Sequence, residues 1–225
     1  MYVPDTHIEF FDHIKIKQIS CGRYHTLFLT QGGEVYACGQ HTLGQLGLGK
    51  LRENDSAISS SQVKLDLVNC VYQPRRVNLG GLKDHRVQQI SAWTNSACVT
   101  IDNDLFIWGS GVFGDSDEPK LINMAQVMRT KDEIKVNSVK LGGSFMTIQD
   151  LKGNIYCWGN AYHKEIRISP HSLLTKKIPK KLLGARDRIE GFATGGAFAI
   201  AYTKWNEITA DMQEEDPIWI ASKES

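Results

Sequence analysis

Four copies of one pattern run through the sequence, and this repetition restricts the possible folds more than any other feature. The first copy, IKQISCGRYHTLFLTQGGEVYACGQHTLGQLGLG, covers residues 16–49, and the later copies cover 87–115, 136–165 and 189–208. The copies align on Gly22, Trp93, Gly142 and Gly195, which are 71, 49 and 53 residues apart. The first interval shrinks to the size of the others if 50–72 is an insertion. A period near fifty predicts an array of repeated structural units.

Within each copy the residues are typical of short strands. Apolar residues alternate with polar ones at 26–30 and 35–38, and Gly, Asp and Asn at 31–34, 102–104 and 152–154 tolerate the positive φ of tight hairpins. A proline precedes each copy, at Pro4, Pro74, Pro119 and Pro179. Because proline cannot donate to a ladder, it fits an outer strand, and we place the start of each unit there. Four short antiparallel strands per unit predict an all-β fold made of β-propeller blades.

The first copy also resembles a known family. It reads G-x-x-H-T-x-x-L-T at 22–30, G-x-V-Y-x-x-G at 33–39 and G-Q-L-G-x-G at 44–49, and these motifs resemble the regulator of chromosome condensation repeat. The later copies keep less of the pattern, and the third has Phe145 at the histidine position. Members of the family form seven-bladed propellers, which need roughly 350 residues. The resemblance therefore implies about four blades in a partial or open ring.

The resemblance also implies that the repeated positions are structural. His25 is expected to hydrogen-bond neighbouring backbone, not to act in catalysis. The expected structural positions are Gly22, His25, Gly39, Gly44, Gly47, Gly109, Gly142, Gly159 and Gly195.

The repeats define the expected domain boundaries. A propeller region spans 1–208, with units at about 4–49, 74–115, 119–165 and 179–208 and an insertion at 50–72. Residues 209–225 form a tail that is first acidic and then apolar. An exposed edge strand invites pairing, so we expect either that a partner chain or a second copy covers the open ring or that the sequence is a fragment.

Composition narrows the function classes. The 225 residues are 41% hydrophobic and carry a net charge of +1, which suits a globular domain and gives no overall field for nucleic acid or a membrane surface. No run of about 18 apolar residues predicts a membrane span. The five cysteines form no Cys-x-x-Cys pair, so neither a disulfide framework nor a metal site is predicted. We expect an intracellular protein, cytoplasmic or nuclear, without a cofactor.

Catalytic candidates are few. Cys38 and His41 are three residues apart, but no third group is predicted to orient them, so we expect no covalent enzyme mechanism.

The residues 164–188 carry the strongest local charge. Eight basic residues outnumber two acidic ones in what we expect to be a loop. Such a patch suits an acidic protein surface, a small GTPase or nucleic-acid phosphates. The candidate partner-binding residues are Lys164, Arg167, Lys176, Lys177, Lys180, Lys181, Arg186 and Arg188.

The sequence thus favours a non-catalytic scaffold that binds other proteins. One alternative is a guanine nucleotide exchange factor for a small GTPase, the activity that the family resemblance implies. Another is a chromatin or phosphate-binding module that uses 164–188.

Overall fold

The fold is built from antiparallel strands. The structure, a computed structural model, describes residues 11–51, 70–110, 115–143, 145–159, 176–183, 189–196 and 199–203. The one α-helix among these residues is α1, Met124–Met128. The strands are β1 Ile16–Cys21, β2 His25–Thr30, β3 Val35–Gln40, β4 Cys70–Arg76, β5 Val87–Ala92, β6 Ser96–Thr100, β7 Leu105–Gly109, β8 Ser116–Ile122, β9 Val136–Leu141, β10 Phe145–Asp150, β11 Ile155–Gly159, β12 Lys176–Leu183, β13 Ile189–Thr194 and β14 Ala199–Thr203.

These strands form three four-stranded sheets and one two-stranded sheet. Sheet 1 contains β1 to β4, sheet 2 contains β5 to β8, sheet 3 contains β9 to β12, and sheet 4 contains β13 and β14. Within each sheet, neighbours in sequence are neighbours in space, and all pairs are antiparallel. The prediction of an all-β fold made of four-stranded units is confirmed.

The sheets pack face to face, so their middle strands are buried on both sides. In β6, Cys98 belongs to the core between sheets 1 and 2, whereas its neighbours Ala97 and Val99 belong to the core between sheets 2 and 3. Every residue of β6 and β7 is buried. Alternate residues of a middle strand therefore face the two neighbouring sheets, and neither side of the strand faces solvent.

Pro74, Pro119 and Pro179 lie on outer strands, as predicted, but these strands belong to the preceding sheet, and Pro4 lies outside the described residues. Pro74 lies in β4, which pairs with β3, and Pro119 and Pro179 hold the same place in β8 and β12. The register of β3 and β4 shifts between Ala37 and Gly39, opposite the proline, so the ladder is already interrupted where proline lacks an N–H. The sheets are thus offset by one strand from the units that we placed at the prolines.

Two further boundaries need correction. Cys70, Val71 and Tyr72 fall within the expected insertion, yet they begin β4 and pair with the end of β3. The basic segment was expected to be a loop, but 176–183 is strand β12, paired with β11. In both cases the outer strand starts earlier than its proline suggests.

Candidate functional site

The histidine of the first repeat lies at the junction of sheets 1 and 2. His25 begins β2 and is 4% exposed. Its Nε2 lies 2.7 Å from the Ser96 hydroxyl oxygen, and Ser96 Oγ lies 2.7 Å from the carbonyl oxygen of Gln45. The indole Nε1 of Trp108 donates to the same carbonyl at 2.9 Å. We call His25, Ser96, Gln45 and Trp108 the inter-sheet node.

The distance between His25 and Ser96 resembles that of a catalytic serine–histidine pair, but the Ser96 hydroxyl does not donate its proton to the histidine. The hydroxyl of Ser96 has one proton, which it donates to Gln45, so the imidazole must donate its Nε2 proton to Ser96. Ser96 has no exposed surface. Burial, together with the neighbouring His41, lowers the pKa of His25 to about 4, which keeps the ring neutral. The node can join two sheets, but it offers no accessible nucleophile.

His41 has a similar role in the loop that follows β3. Its Nε2 donates to the carbonyl of Gly49 at 2.7 Å, and its Nδ1 accepts from the N–H of Leu46 at 3.3 Å. These bonds close the Gly-Gln-Leu-Gly loop. Burial raises the pKa of the nearby Cys38 thiol, the opposite of what a nucleophilic cysteine requires.

The glycines of the first repeat allow close approaches around the node. A Cβ on Gly22 would stand 2.5 Å from the imidazole carbon of His25. Gly39 has φ 108° and lies against the backbone of Tyr24, so a side chain there would be both strained and blocked.

The other expected structural glycines lie in turns, in the loop after β3 or at strand ends. Gly44 and Gly47 lie in the loop after β3, Gly109 and Gly159 end β7 and β11, and Gly142 and Gly195 lie in the turns after β9 and β13.

A second set of polar contacts joins β1 and β5, and the sequence analysis did not predict it. We call β1, β5 and β9, which lie at the edge of each sheet opposite its outer strand, the innermost strands. The Gln18 side chain in β1 donates to the carbonyl of Ile90 at 2.9 Å and accepts from its N–H at 3.0 Å, while Ser20 accepts from the N–H of Ala92 at 2.9 Å. The repeated Gln-x-Ser at 18–20 and 89–91 was the available signal.

The turns after the first strand of each repeat meet at one end of the sheets. The N–H of Arg23 donates to the carbonyl of Trp93 at 2.8 Å, and that of Gly143 donates to Gly196 at 2.7 Å. We call this end the hinge-loop face; it comprises Gly22, Arg23, Tyr24, Trp93, Thr94, Gly142, Gly143, Gly195 and Gly196. Tyr24 is 59% exposed, and the Arg23 guanidinium lies 5.1 Å from its ring centre.

Four of the eight expected partner-binding residues of the basic segment 164–188 lie among the described residues. Lys176, Lys177, Lys180 and Lys181 lie on β12, the outermost strand of sheet 3. Lys164, Arg167, Arg186 and Arg188 lie outside the described residues, as does the tail 209–225.

The described residues contain neither a metal-binding cluster nor a membrane-spanning helix. In the described ranges no three His, Cys, Asp or Glu side chains are grouped so that they could hold a metal ion. The one α-helix of those ranges is too short to cross a membrane.

Comparison with known proteins identifies the repeat. Residues 16–45 and 32–98 match two models of the regulator of chromosome condensation (RCC1) repeat. The human RCC1-like G exchanging factor-like protein is 27% identical over 174 residues, which is 76% of this chain and 34% of that protein. The human X-linked retinitis pigmentosa GTPase regulator is 37% identical over 101 residues, 44% of this chain and 8% of that protein.

A solved structure agrees with the fold. Prp20p from Saccharomyces cerevisiae, described with its binding properties to Gsp1p and histones, superposes with a TM-score of 0.60 at 18% identity, covering 83% of this chain and 43% of that chain. This chain thus spans about a third or less of the two curated relatives and under half of the yeast structure. Residues 16–98 thus match the RCC1 repeat, and the chain has the β-propeller fold of the yeast structure.

Proposed function

We propose that the chain is an RCC1-type module that binds other proteins and performs no covalent chemistry. The observation that carries this proposal is the inter-sheet node. Its histidine and serine have the residue types and spacing of a catalytic pair, yet both are buried, and the hydroxyl proton is committed to the Gln45 carbonyl. Polar side chains used in this way stabilise a scaffold and leave recognition to the surface.

The hinge-loop face is the best-defined candidate for recognition. Tyr24 and Arg23 are exposed there, and Leu43, 50% exposed, lies in the loop that leaves β3 at the same end. The N–H of Gln40 donates to the carbonyl of Tyr24 at 2.9 Å, so the turn and the end of β3 are held together. Tyrosine and arginine carry much of the binding energy in protein interfaces. The basic residues 164–188 are a second proposed contact region for an acidic partner surface.

Affinity capture of the whole chain from its own cell extract tests the proposal. We expect the wild type to retain specific proteins and Tyr24→Ala to lose them. Tyr72→Ala is the matched control, because Tyr72 is 54% exposed but lies on the outer strand β4. The same proteins retained by all three chains, or none retained by the wild type, would contradict recognition through this face.

Nucleotide exchange on a small GTPase is the second candidate. It is favoured by the names of two relatives, a G exchanging factor-like protein and a GTPase regulator. Exchange needs no covalent step, only tighter binding of the nucleotide-free GTPase than of its nucleotide-bound form.

Release of labelled GDP from a panel of small GTPases separates the two candidates. With catalytic amounts of the chain, a scaffold leaves every release rate at its value in buffer. Acceleration for any one GTPase would overturn the non-catalytic proposal in favour of exchange.

Phosphate binding through 164–188 is the third option, and salt dependence tests it. Charge-driven binding to duplex DNA must weaken steeply as salt rises. Absence of binding at low salt would remove this option.

A further inference from the structure

A cleft lies between sheets 1 and 2 at the end that carries the β2–β3 turn, which is opposite the hinge-loop face. Residues 32–35 of that turn and of β3, 76–77 at the end of β4 and 82–87 before and at the start of β5 line it. Its volume is about 450 Å³. Small-molecule sites in proteins have volumes of about 300–1,000 Å³, so the cleft has the size to hold a small organic molecule.

The cleft lies beside a short linker between the two sheets. Ten residues, 77–86, connect β4 to β5 and contain one short 3₁₀ turn, whereas thirteen residues, 123–135, connect β8 to β9 and contain α1. The longer linker packs four apolar side chains against the core of its junction: Met124, Val127, Met128 and Ile134. The shorter linker supplies only Val77 and Leu82 to its core. Fewer side chains therefore fill the first junction at this end.

The bottom of the cleft is apolar, and several charged groups on its rim are already paired. The bottom is formed by four core side chains, each at most 3% exposed: Val35, Val77, Leu82 and Val87. On the rim, Arg76 and Glu34 form an ion pair at 2.8 Å. The His85 ring packs against Phe106, and its Nδ1 lies 3.9 Å from the Asp102 carboxylate. These groups hold the walls of the cleft in place.

Two other cations on the rim have unused donors. Arg86 donates its Nε proton to the carbonyl of Gly32 at 2.9 Å, which holds the guanidinium beside the β2–β3 turn. Its two terminal nitrogens and the Lys83 ammonium make no hydrogen bond or ion pair to a residue that the structure describes. Both side chains are exposed, as is the acidic rim residue Asp84, which also lacks a charged partner in the described ranges. The unpaired charge on the rim is thus two positive against one negative.

We propose that the cleft binds a small organic phosphate that carries an apolar body. The apolar body lies on the bottom of the cleft, and the phosphate accepts hydrogen bonds from the Lys83 ammonium and from the terminal nitrogens of Arg86. Arginine binds phosphate oxygens through a planar fork and lysine binds them as a point charge, and two cations match the charge of a phosphate dianion. This site is separate from the hinge-loop face and goes beyond the protein binding proposed above.

Titration calorimetry with naphthyl phosphate as the probe tests both halves of the site. We expect one molecule per chain to bind saturably. Naphthol has the same rings without the charge, and inorganic phosphate has the charge without the rings, so each should bind at least about tenfold more weakly. Naphthoate, with a single negative charge, should bind more weakly by about threefold or more. Naphthoate binding as tight as that of naphthyl phosphate would overturn the assignment of a phosphate.

Charge variants of the full chain test which residues bind the probe. Lys83→Ala and Arg86→Gln should each weaken binding of naphthyl phosphate at least about tenfold, because each removes a charge-assisted hydrogen bond. Asp84→Asn should strengthen binding by about twofold or more, because it removes a negative charge from the rim. Lys131→Ala is the matched control, since Lys131 is an exposed lysine of the longer linker and does not line the cleft. Its affinity should equal that of the wild type.

Urea unfolding confirms that each variant is folded, and Lys83→Ala decides the case if the loss of the bond to Gly32 unfolds Arg86→Gln. The absence of naphthyl phosphate binding, naphthol binding of equal affinity, or an equal loss in Lys131→Ala and Lys83→Ala would overturn the proposal. Tyr24→Ala should leave the affinity for naphthyl phosphate unchanged, because Tyr24 lies on the hinge-loop face. A loss of affinity in Tyr24→Ala would place the probe on that face and would also overturn the proposal.

Discussion

The junction between sheets 1 and 2 has the polar inter-sheet node, which the junction between sheets 2 and 3 lacks. Both junctions have hydrogen bonds between their innermost strands. The N–H groups of Gly22, Trp93 and Gly142 donate to the carbonyls of His25, Asn95 and Phe145, respectively. His25, Asn95 and Phe145 therefore occupy equivalent positions in sheets 1, 2 and 3. His25 is bonded to Ser96 across the first junction. Across the second junction, Met146 stands where Ser96 stood, and the Asn95 amide nitrogen is buried without a hydrogen bond to a described residue.

The innermost strands show no such loss. Gln18 and Ser20 at the first junction, and Gln89 and Ser91 at the second, accept hydrogen bonds from equivalent backbone N–H groups. The polar node has therefore been replaced by apolar packing in one junction, while the contacts near the innermost strands are present in both. We infer that the innermost contacts set the register of neighbouring sheets and that the node adds stability to the first junction.

Removing the indole of the node should have the largest effect. Trp108 is 1% exposed and packs in the core between sheets 1 and 2. Trp108→Ala should lower the free energy of unfolding by about 3–5 kcal/mol, because a large buried ring is lost and a cavity remains. Urea unfolding measures the change, with Tyr72→Ala as a surface control that should shift stability by no more than about 0.5 kcal/mol. A loss below 1 kcal/mol for Trp108→Ala would show that the junction is not packed as described.

Acid should weaken the first junction more than the second. The folded state holds the pKa of His25 at about 4, below its ordinary value of 6.5, so the unfolded chain binds a proton more readily. The stability that the neutral ring contributes is complete above pH 6.5 and is lost as pH falls from 6.5 to about 4, by roughly 3 kcal/mol.

Sheet 3 supplies the matched variant for this test, because Phe145 occupies the position of His25 there and packs against Ala199 of sheet 4. His25→Phe introduces the residue type found at Phe145 and removes the titrating group. The difference between wild type and variant in urea unfolding should shrink as pH falls from 7 to 4. A difference that stays constant over this range would mean that His25 does not titrate with a lowered pKa.

The contacts near the innermost strands should be of similar value in both junctions. Gln18→Ala removes two hydrogen bonds to Ile90, and Gln89→Ala removes the bonds to Val139 and Ser138. Each variant should cost about 1–2 kcal/mol, since a net hydrogen bond contributes about 1 kcal/mol. If one costs several times more than the other in urea unfolding, the two junctions do not share this contact energetically.

The smallest effect is expected at Asn95. Its amide nitrogen already lacks a hydrogen bond to the described residues, so Asn95→Ala removes a desolvation cost along with some packing. The free energy of unfolding should change by less than about 1 kcal/mol. Its Oδ1 accepts from the Thr94 hydroxyl at 3.0 Å, so a loss above 2 kcal/mol would indicate that the amide nitrogen also has a partner, among residues that the structure does not describe.

The sequence predicts local structure well and long-range contacts poorly. Period-two patterns and glycine turns correctly indicate the short strands, and Pro74, Pro119 and Pro179 indicate the outer strands. The expectation that His25 hydrogen-bonds neighbouring backbone was wrong, because its ring binds the Ser96 hydroxyl, which is 71 residues away and which no local pattern links to it. The assignment of the proline strand to the preceding sheet was missed for the same reason, since it depends on which neighbour the backbone pairs with.

His25 joins sheets 1 and 2 through its hydrogen bond to Ser96. The strength of this link is measured by a double-mutant cycle with His25→Ala, Ser96→Ala and the double variant, followed by urea unfolding at pH 7. We expect a coupling energy of about 1 kcal/mol or more, because the two side chains are in direct contact. Losses that add to within about 0.3 kcal/mol would contradict it.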